Sequence, residues 1–452
     1  MFIVKKVISA ASILIKRDAI FKILRSNPLG NFWNLTQDPY NKTINNFNVT
    51  YIGGQVDINW GEESVNESIP SNTNINHTFG ITTQGISILP KGANISSINC
   101  GTSSPRLGGA IDLSAFPDLQ EFRCNSNGIT ELSNYAQNSN LTLVNFFDNA
   151  VTGSIPTLSG LTNLLDFNSF SNPLTGPIPS LNGLSNLVNF RCNINQLTGF
   201  IPSLSGLTAL EIFSCQNQTG VIKLTGPIPS LNGLSNLQIF SCNQNQLTGL
   251  IPSLSGLNNF LDFDCSTNQL TGPIPSLNGL SNLVNFRCQS NQLTGLIPNL
   301  SGLNNLQIFG CQNQTGVIKL TGPIPSLNGL SNLLTFQCNQ NQLTGLIPNL
   351  SGLNNLQTFF CGTNQLTGFV SGSISNTLGN FQAQNNQLRA SAVNLILGSF
   401  VEAGRTTGTP VVNGTCILNL GGTNSRPINQ GITDVTTLRS LGWTVTTGTT
   451  LL

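Results

Sequence analysis

The chain has 452 residues, enough for an elongated repeat array with end pieces rather than one compact globule. Lysine and arginine number 18 and acidic residues 17, so no charge excess points to nucleic acid or to an acidic substrate. Charged residues make up only 8%, and Gly, Asn, Ser, Thr and Gln fill the space, so the surface is polar but mostly neutral.

In chain order, residues 1–46 come first, and the first 25 of them hold the basic residues Lys5, Lys6, Lys16, Arg17, Lys22 and Arg25 against Asp18 alone. An apolar run, Val7 to Ile15, follows Lys5 and Lys6 as in a short signal peptide, but Lys16 and Arg17 come at once and no small-residue cleavage site is obvious. No apolar run reaches the roughly 18 residues of a membrane helix. Two readings of this segment stay open: a basic arm that orders against a partner, and a disordered tail. Residues 47–94 carry short alternating runs, VDINW and GISIL with NHTFG between them, and read as a small β-domain.

From residue 95 to 388 the chain is an internal repeat. Nineteen residues, LTGPIPSLNGLSNLVNFRC, run from Leu174 to Cys192 and return unchanged from Leu270 to Cys288. Aligned on Leu-x-x-Phe-x-Cys-x-x-Asn-x-Leu-x-Gly-x-Ile-Pro, one column passes through Cys100, Cys124, Phe146, Ser169, Cys192, Cys215, Cys242, Cys265, Cys288, Cys311, Cys338, Cys361 and Ala383, which is 13 rungs. Most steps are 23 residues, a period at which each unit supplies a strand and a return segment. Leu187, Phe190 and Cys192 should point inward, Asn195 should turn the chain and satisfy backbone groups, and Leu197, Ile201, Leu204 and Leu207 should fill the slab. Gly199 and Pro202 should shape a bend. Because Phe, Ser and Ala also occupy the cysteine column, the thiols read as apolar filler rather than as disulfides or metal ligands, and no metal or other cofactor is expected. One insertion is copied 96 residues apart, CQNQTGVIKL from Cys215 and from Cys311, each time adding Lys223 or Lys319.

Catalysis has little to work with. His77 is the only histidine and reads as part of a turn or a strand end. Asp262 and Asp264 share a strand face without a facing carboxylate pair and read as solvated residues. No phosphate loop, dinucleotide fingerprint or calcium loop is present. The residues flanking the inward columns are the ones that vary: Asn189, Arg191, Asn193, then Ser214, Gln216, then Ser241, Asn243, then Asp262, Asp264, then Asn285, Arg287, Gln289. With Ile212 and Ile239 and the isolated aromatics Phe147, Phe170 and Phe360, they form a face suited to polar neutral ligands, glycans included.

The phrase LTGPIP and its downstream leucines resemble the plant-type leucine-rich repeat over roughly Ile95 to Leu388. The resemblance implies an α/β solenoid with a parallel strand layer. After it, residues 389–452 read as an α+β cap: ASAVNLILGSFVEAG as a helix, TCILNL as a strand, GITDVTTLRSLGWTVTT as a helix and a closing strand. The phrase Gly442 to Val445 is similar to the end of leucine-rich repeat proteins of bacteriophage tails and virions. Residues 47–94 resemble a PKD-like domain, with Trp60-Gly61-Glu62 and His77-Thr78-Phe79 at the motif positions. Together these resemblances imply a non-enzymatic virion component, its arm anchored to other virion proteins and its strand face on a host surface protein or glycan. Two alternatives stay open, a secreted or cell-surface protein-binding module and a passive structural decoration, as does a homo-oligomer.

Overall fold

The structure, a computed structural model, describes residues 22–24, 43–52, 55–59, 66–69, 75–78, 87–91, 94–101, 108–114, 116–375, 377–403 and 416–448. Lys5, Lys6, Lys16, Arg17 and Arg25 lie outside the described residues, as do Trp60, Gly61, Glu62 and Phe79. The chain divides into two compact units, 1–224 and 225–452.

In the first unit, strand Gln55–Asn59 pairs antiparallel with Asn66–Ile69 and Ser87–Lys91. Strand Thr43–Ile52 pairs antiparallel with Ile75–Thr78 and Asn94–Asn99, which places His77 in a short strand next to its end, as expected. Lys22 falls on the strand Lys22–Leu24, paired with Gly108–Asp112, so this piece of the basic segment orders against its own chain. Asn94–Asn99 then opens a parallel ladder in register through Glu121–Arg123, Leu143–Asn145, Asp166–Asn168, Asn189–Arg191 and Ile212–Ser214.

The second unit repeats the ladder from Ile239–Ser241 through Asp262–Asp264, Asn285–Arg287, Ile308–Gly310, Thr335–Gln337, Thr358–Phe360 and Asn380–Gln382. It continues into two cap strands, Cys416–Leu420 and Trp443–Thr447. Each rung alternates in and out, so the residue between the two face positions stacks on its equivalent. In the first unit Phe167, Phe190 and Phe213 stack at 5.2 and 5.6 Å. In the second unit the stack runs from Phe240 to Phe381, and the helix Ala390–Glu402 ends it with Phe400 edge-on to Phe381 at 5.5 Å. Trp443 closes over Phe400 at 5.1 Å, so the last apolar rung is shielded from water.

The cysteine column is buried and unbridged beside this stack, with Cys416 half-exposed outside it. Burial pushes the thiols of Cys192, Cys215, Cys288 and Cys311 well above their usual range, so they behave as small hydrophobes. Leucines three apart, such as Leu204, Leu207 and Leu210, all face inward because consecutive turn bonds advance the chain by three residues.

The amide of Asn195 does what its place in the repeat predicts. Its Nδ2 donates to Ser169 O and Cys192 O at 3.0 Å, and its Oδ1 accepts from Leu174 N at 3.1 Å. The same bonds recur at Asn268, Asn291 and Asn364, and Asn424 extends them into the cap. Gln218 and Gln314 replace asparagine in the two rungs that carry the insertion and make equivalent bonds. The residue before each of these amides in the repeat, Asn424 of the cap excepted, takes a left-handed conformation, even where it is Ile194 at φ 51. One expectation needs correcting. The segment read as a bend at Gly199 and Pro202 contains a second, short parallel sheet, with Thr175–Pro177 beside Gln196–Phe200 in the first unit and Thr271–Pro273 beside Gln292–Leu296 in the second. Gly272 there holds φ 73, a left-handed conformation that favours glycine, and the end of the Leu250 side chain lies where a Cβ would stand.

Candidate binding face of the strand ladder

Three rows of side chains cover the outer side of each ladder: one before the inward Phe, one after it, and one after the cysteine column. Backbone pairing between rungs does not depend on their identity, which is why their types vary more widely than the apolar or small residues of the inward columns.

In the first unit Asp166, Asn189 and Arg191 form one cluster. Asn189 Nδ2 donates to Asp166 Oδ2 at 2.9 Å, Arg191 Nη1 stands 3.6 Å from the same oxygen, and Arg191 Nη2 donates to Asn189 Oδ1 at 3.4 Å. Glu121 and Arg123 pair on an earlier rung. Phe147 and Phe170, expected as isolated aromatics, instead pack against each other at 6.2 Å. Asn193 and Gln216 are half-buried, whereas Ser214 is 7% exposed and so offers little to a ligand.

The second unit holds a near copy of that cluster. Asn285 Nδ2 donates to Asp262 Oδ2 at 2.7 Å and Arg287 Nη1 donates to it at 3.4 Å. Asp264 Oδ1 accepts from the Ser266 amide at 3.0 Å and from its hydroxyl at 2.6 Å. The expectation that Asp262 and Asp264 are solvated is therefore corrected: both are half-buried and bonded. Burial raises the carboxyl of Asp262 above its usual range, while Asn285 and Arg287 pull it down. Ser241, Asn243 and Phe360 are half-buried on the same face.

Three residues absent from the sequence-based list enter the site here, namely Gly310, Gln312 and Gln337. Gln312 Nε2 donates to Gln337 Oε1 at 2.7 Å. The side-chain oxygens of Gln289, Gln312, Asn339 and Gln384, all in the row after the cysteine column, are buried without a hydrogen-bond partner. Gly310 could have been found, because it is the one glycine in the row after the inward Phe. The orphaned oxygens could not, since they depend on rotamers. Among the described residues no group of three or more His, Cys, Asp or Glu side chains could hold a metal ion. No described helix is long and apolar enough to cross a membrane.

No family model and no curated protein sequence matches the chain. Solved structures do. A plant peptide hormone receptor, RGFR1 in complex with RGF2, is 25% identical with a TM-score of 0.57, covering 75% of this chain and 57% of that one. PEPR1 with AtPEP1 is 25% identical with a TM-score of 0.56, covering 74% and 56%. A leucine-rich repeat protein of Leptospira interrogans is 23% identical with a TM-score of 0.50, covering 74% and 79%. Each unit has the leucine-rich repeat solenoid fold. The chain spans little more than half the length of the two plant proteins. The neighbours are leucine-rich repeat proteins, several of them receptor ectodomains.

Proposed function

We propose that the chain is a non-enzymatic recognition module that binds a peptide or protein partner on its strand face, outside the cell. The observation that carries this reading is the contrast between inward columns held to apolar or small residues and a variable outer face whose charges are already positioned by neighbours, as in the clusters Asp166–Asn189–Arg191 and Asp262–Asn285–Arg287. A surface that packing leaves free, yet holds in order, is what recognition needs. The neighbours support the class of partner, since RGFR1, whose structure is a complex with RGF2, is a plant peptide hormone receptor. Asn189, Arg191, Asn193, Gln216, Ser241, Asn243, Asp262, Asp264, Asn285, Arg287, Gln289 and Phe360 are the proposed contact residues.

A photo-reactive residue placed at Asn285 of the full chain should give one discrete adduct with the extracellular fraction of the source, competed by unmodified chain. The same residue at the exposed turn position Asn278 should give none. Equal adducts from both positions, or none from either, would overturn the reading. A narrower form, a virion component anchored through residues 1–46 with the strand face on a host surface protein or glycan, rests on the cap phrase Gly442 to Val445. Absence of the chain from purified particles of the source would end it.

A further inference from the structure

The row after the inward Phe carries Asp264, Arg287, Gly310 and Gln337 on successive rungs of the second unit. Glycine leaves a gap in that row. A Cβ built on Gly310 would lie 3.1 Å from Gln289 Oε1 and 3.1 Å from Gln312 Oε1, so two carbonyl oxygens, one from the preceding rung and one from the rung of Gly310 itself, converge on one point. Both are buried and neither has a hydrogen-bond partner. Two acceptors aimed at one place repel each other and leave desolvated lone pairs, an arrangement that a donor placed between them would relieve.

The surroundings select the kind of donor. Arg287 is drawn one rung back by Asp262, away from Gly310. Gln312 has committed its Nε2 to Gln337. Arg287 is the charged residue beside Gly310 in the ladder, and the carboxylates of Asp262 and Asp264 stand one rung further back. What faces the gap is thus acceptor oxygen, with the nearest guanidinium turned away from it. Gln289 and Gln312 are only half-buried as residues, and the terminal torsion of glutamine is broad, so each oxygen can turn to a ligand without backbone movement.

We propose that Gly310 is the floor of a subsite for the N–H cation of a partner's lysine or arginine side chain, held between the amide oxygens of Gln289 and Gln312. This deepens the peptide-binding reading and rests on it for the source of the cation. The equivalent position of the first unit holds Ser214, with Asn193 in the place of Gln289, so the subsite belongs to the second unit.

The test uses the isotope-labelled full chain and three probes: N-acetyl-lysine methylamide, N-acetyl-arginine methylamide and N-acetyl-norleucine methylamide. The side-chain amide resonances of Gln289 and Gln312 should move with the lysine or the arginine probe, whichever the subsite takes, and stay still with norleucine. Gly310→Ala and Gly310→Ser should weaken the probe at least about tenfold, the equivalent of losing one charge-assisted hydrogen bond. Serine already occupies the matching place at 214, and Gly310 has no positive φ, so the fold should tolerate both variants. Equal shifts with norleucine, unchanged affinity in Gly310→Ser, or a crystal structure with the two amides bonded to each other would overturn the subsite. If the Asn285 adduct persists in Gly310→Ser while the probes do not bind, the subsite fails and the wider reading stands. If the probes bind at Gly310 but no adduct forms, the wider reading fails alone.

Discussion

Asn291 offers the sharpest test of what holds a rung together. Its Oδ1 accepts from Leu270 N at 3.0 Å, and its Nδ2 donates to Cys265 O and Cys288 O, each at 3.1 Å. The side chain is fully buried. Replacing it by alanine does not orphan the two carbonyls, because Cys265 O still accepts from Asn268 at 3.0 Å and Cys288 O from Gln314 at 3.3 Å. The irreplaceable loss is the Leu270 amide, a buried donor left without an acceptor. That penalty is about 1–3 kcal/mol, and with the small void the total should be about 2–4 kcal/mol. The double variant Asn291→Ala with Gln314→Ala strips Cys288 O completely and should cost about 1 kcal/mol or more beyond the sum of the singles. Urea unfolding followed by circular dichroism gives the totals, and hydrogen exchange at the Leu270 amide shows whether the rung opens locally. A single-variant cost below about 0.5 kcal/mol, or strict additivity in the double, would refute the shared-acceptor account.

Ile194→Asn should stabilise the first unit by about 1 kcal/mol, because a β-branched residue at φ 51 gives way to one that tolerates the left-handed region; a lower melting temperature would count against it. Phe286→Ala should cost about 3–5 kcal/mol in urea unfolding, since that ring stacks at 5.4 and 5.6 Å on Phe263 and Phe309 and its void cannot collapse between fixed rungs. Iodoacetamide at pH 8 should label Cys416 in the native chain and reach the buried column only after unfolding, as mass spectrometry of the digested protein would show. The folded carboxyl of Asp262 sits above its usual value, so its proton stabilises the folded state at low pH and that contribution is lost as pH rises through the raised value. Wild type should therefore gain stability relative to Asp262→Asn as pH falls from 7 to 4, and a gain in the opposite direction would contradict the burial that raises this carboxyl.

The repeat made much of this protein readable before any coordinates. A period of 23 residues with Leu, Phe and Cys at constant offsets admits one arrangement in which each rung hides its apolar face, so the ladder, its register and the burial of the thiols followed from spacing alone. The amide of Asn195 was legible for the same reason, since a polar residue at a fixed buried position must serve the backbone. The cap helix and its closing strand were readable from periodicity, whereas the covering of the last ring by Phe400 and Trp443 came from the structure. What the linear pattern could not decide was anything set between rungs. The second short sheet formed at Gln196–Phe200 because stacking brought its backbone beside Thr175–Pro177, and a Thr-Gly-x phrase carries no strand signal by itself. Asp262 looked solvated in one dimension and became half-buried once Asn285 and Arg287 of the next rung leaned onto it. Gly310 matters only because glutamines from its own rung and the preceding one turn toward it, and side-chain direction between separate strands is a property of packing, which a chain written in order does not contain.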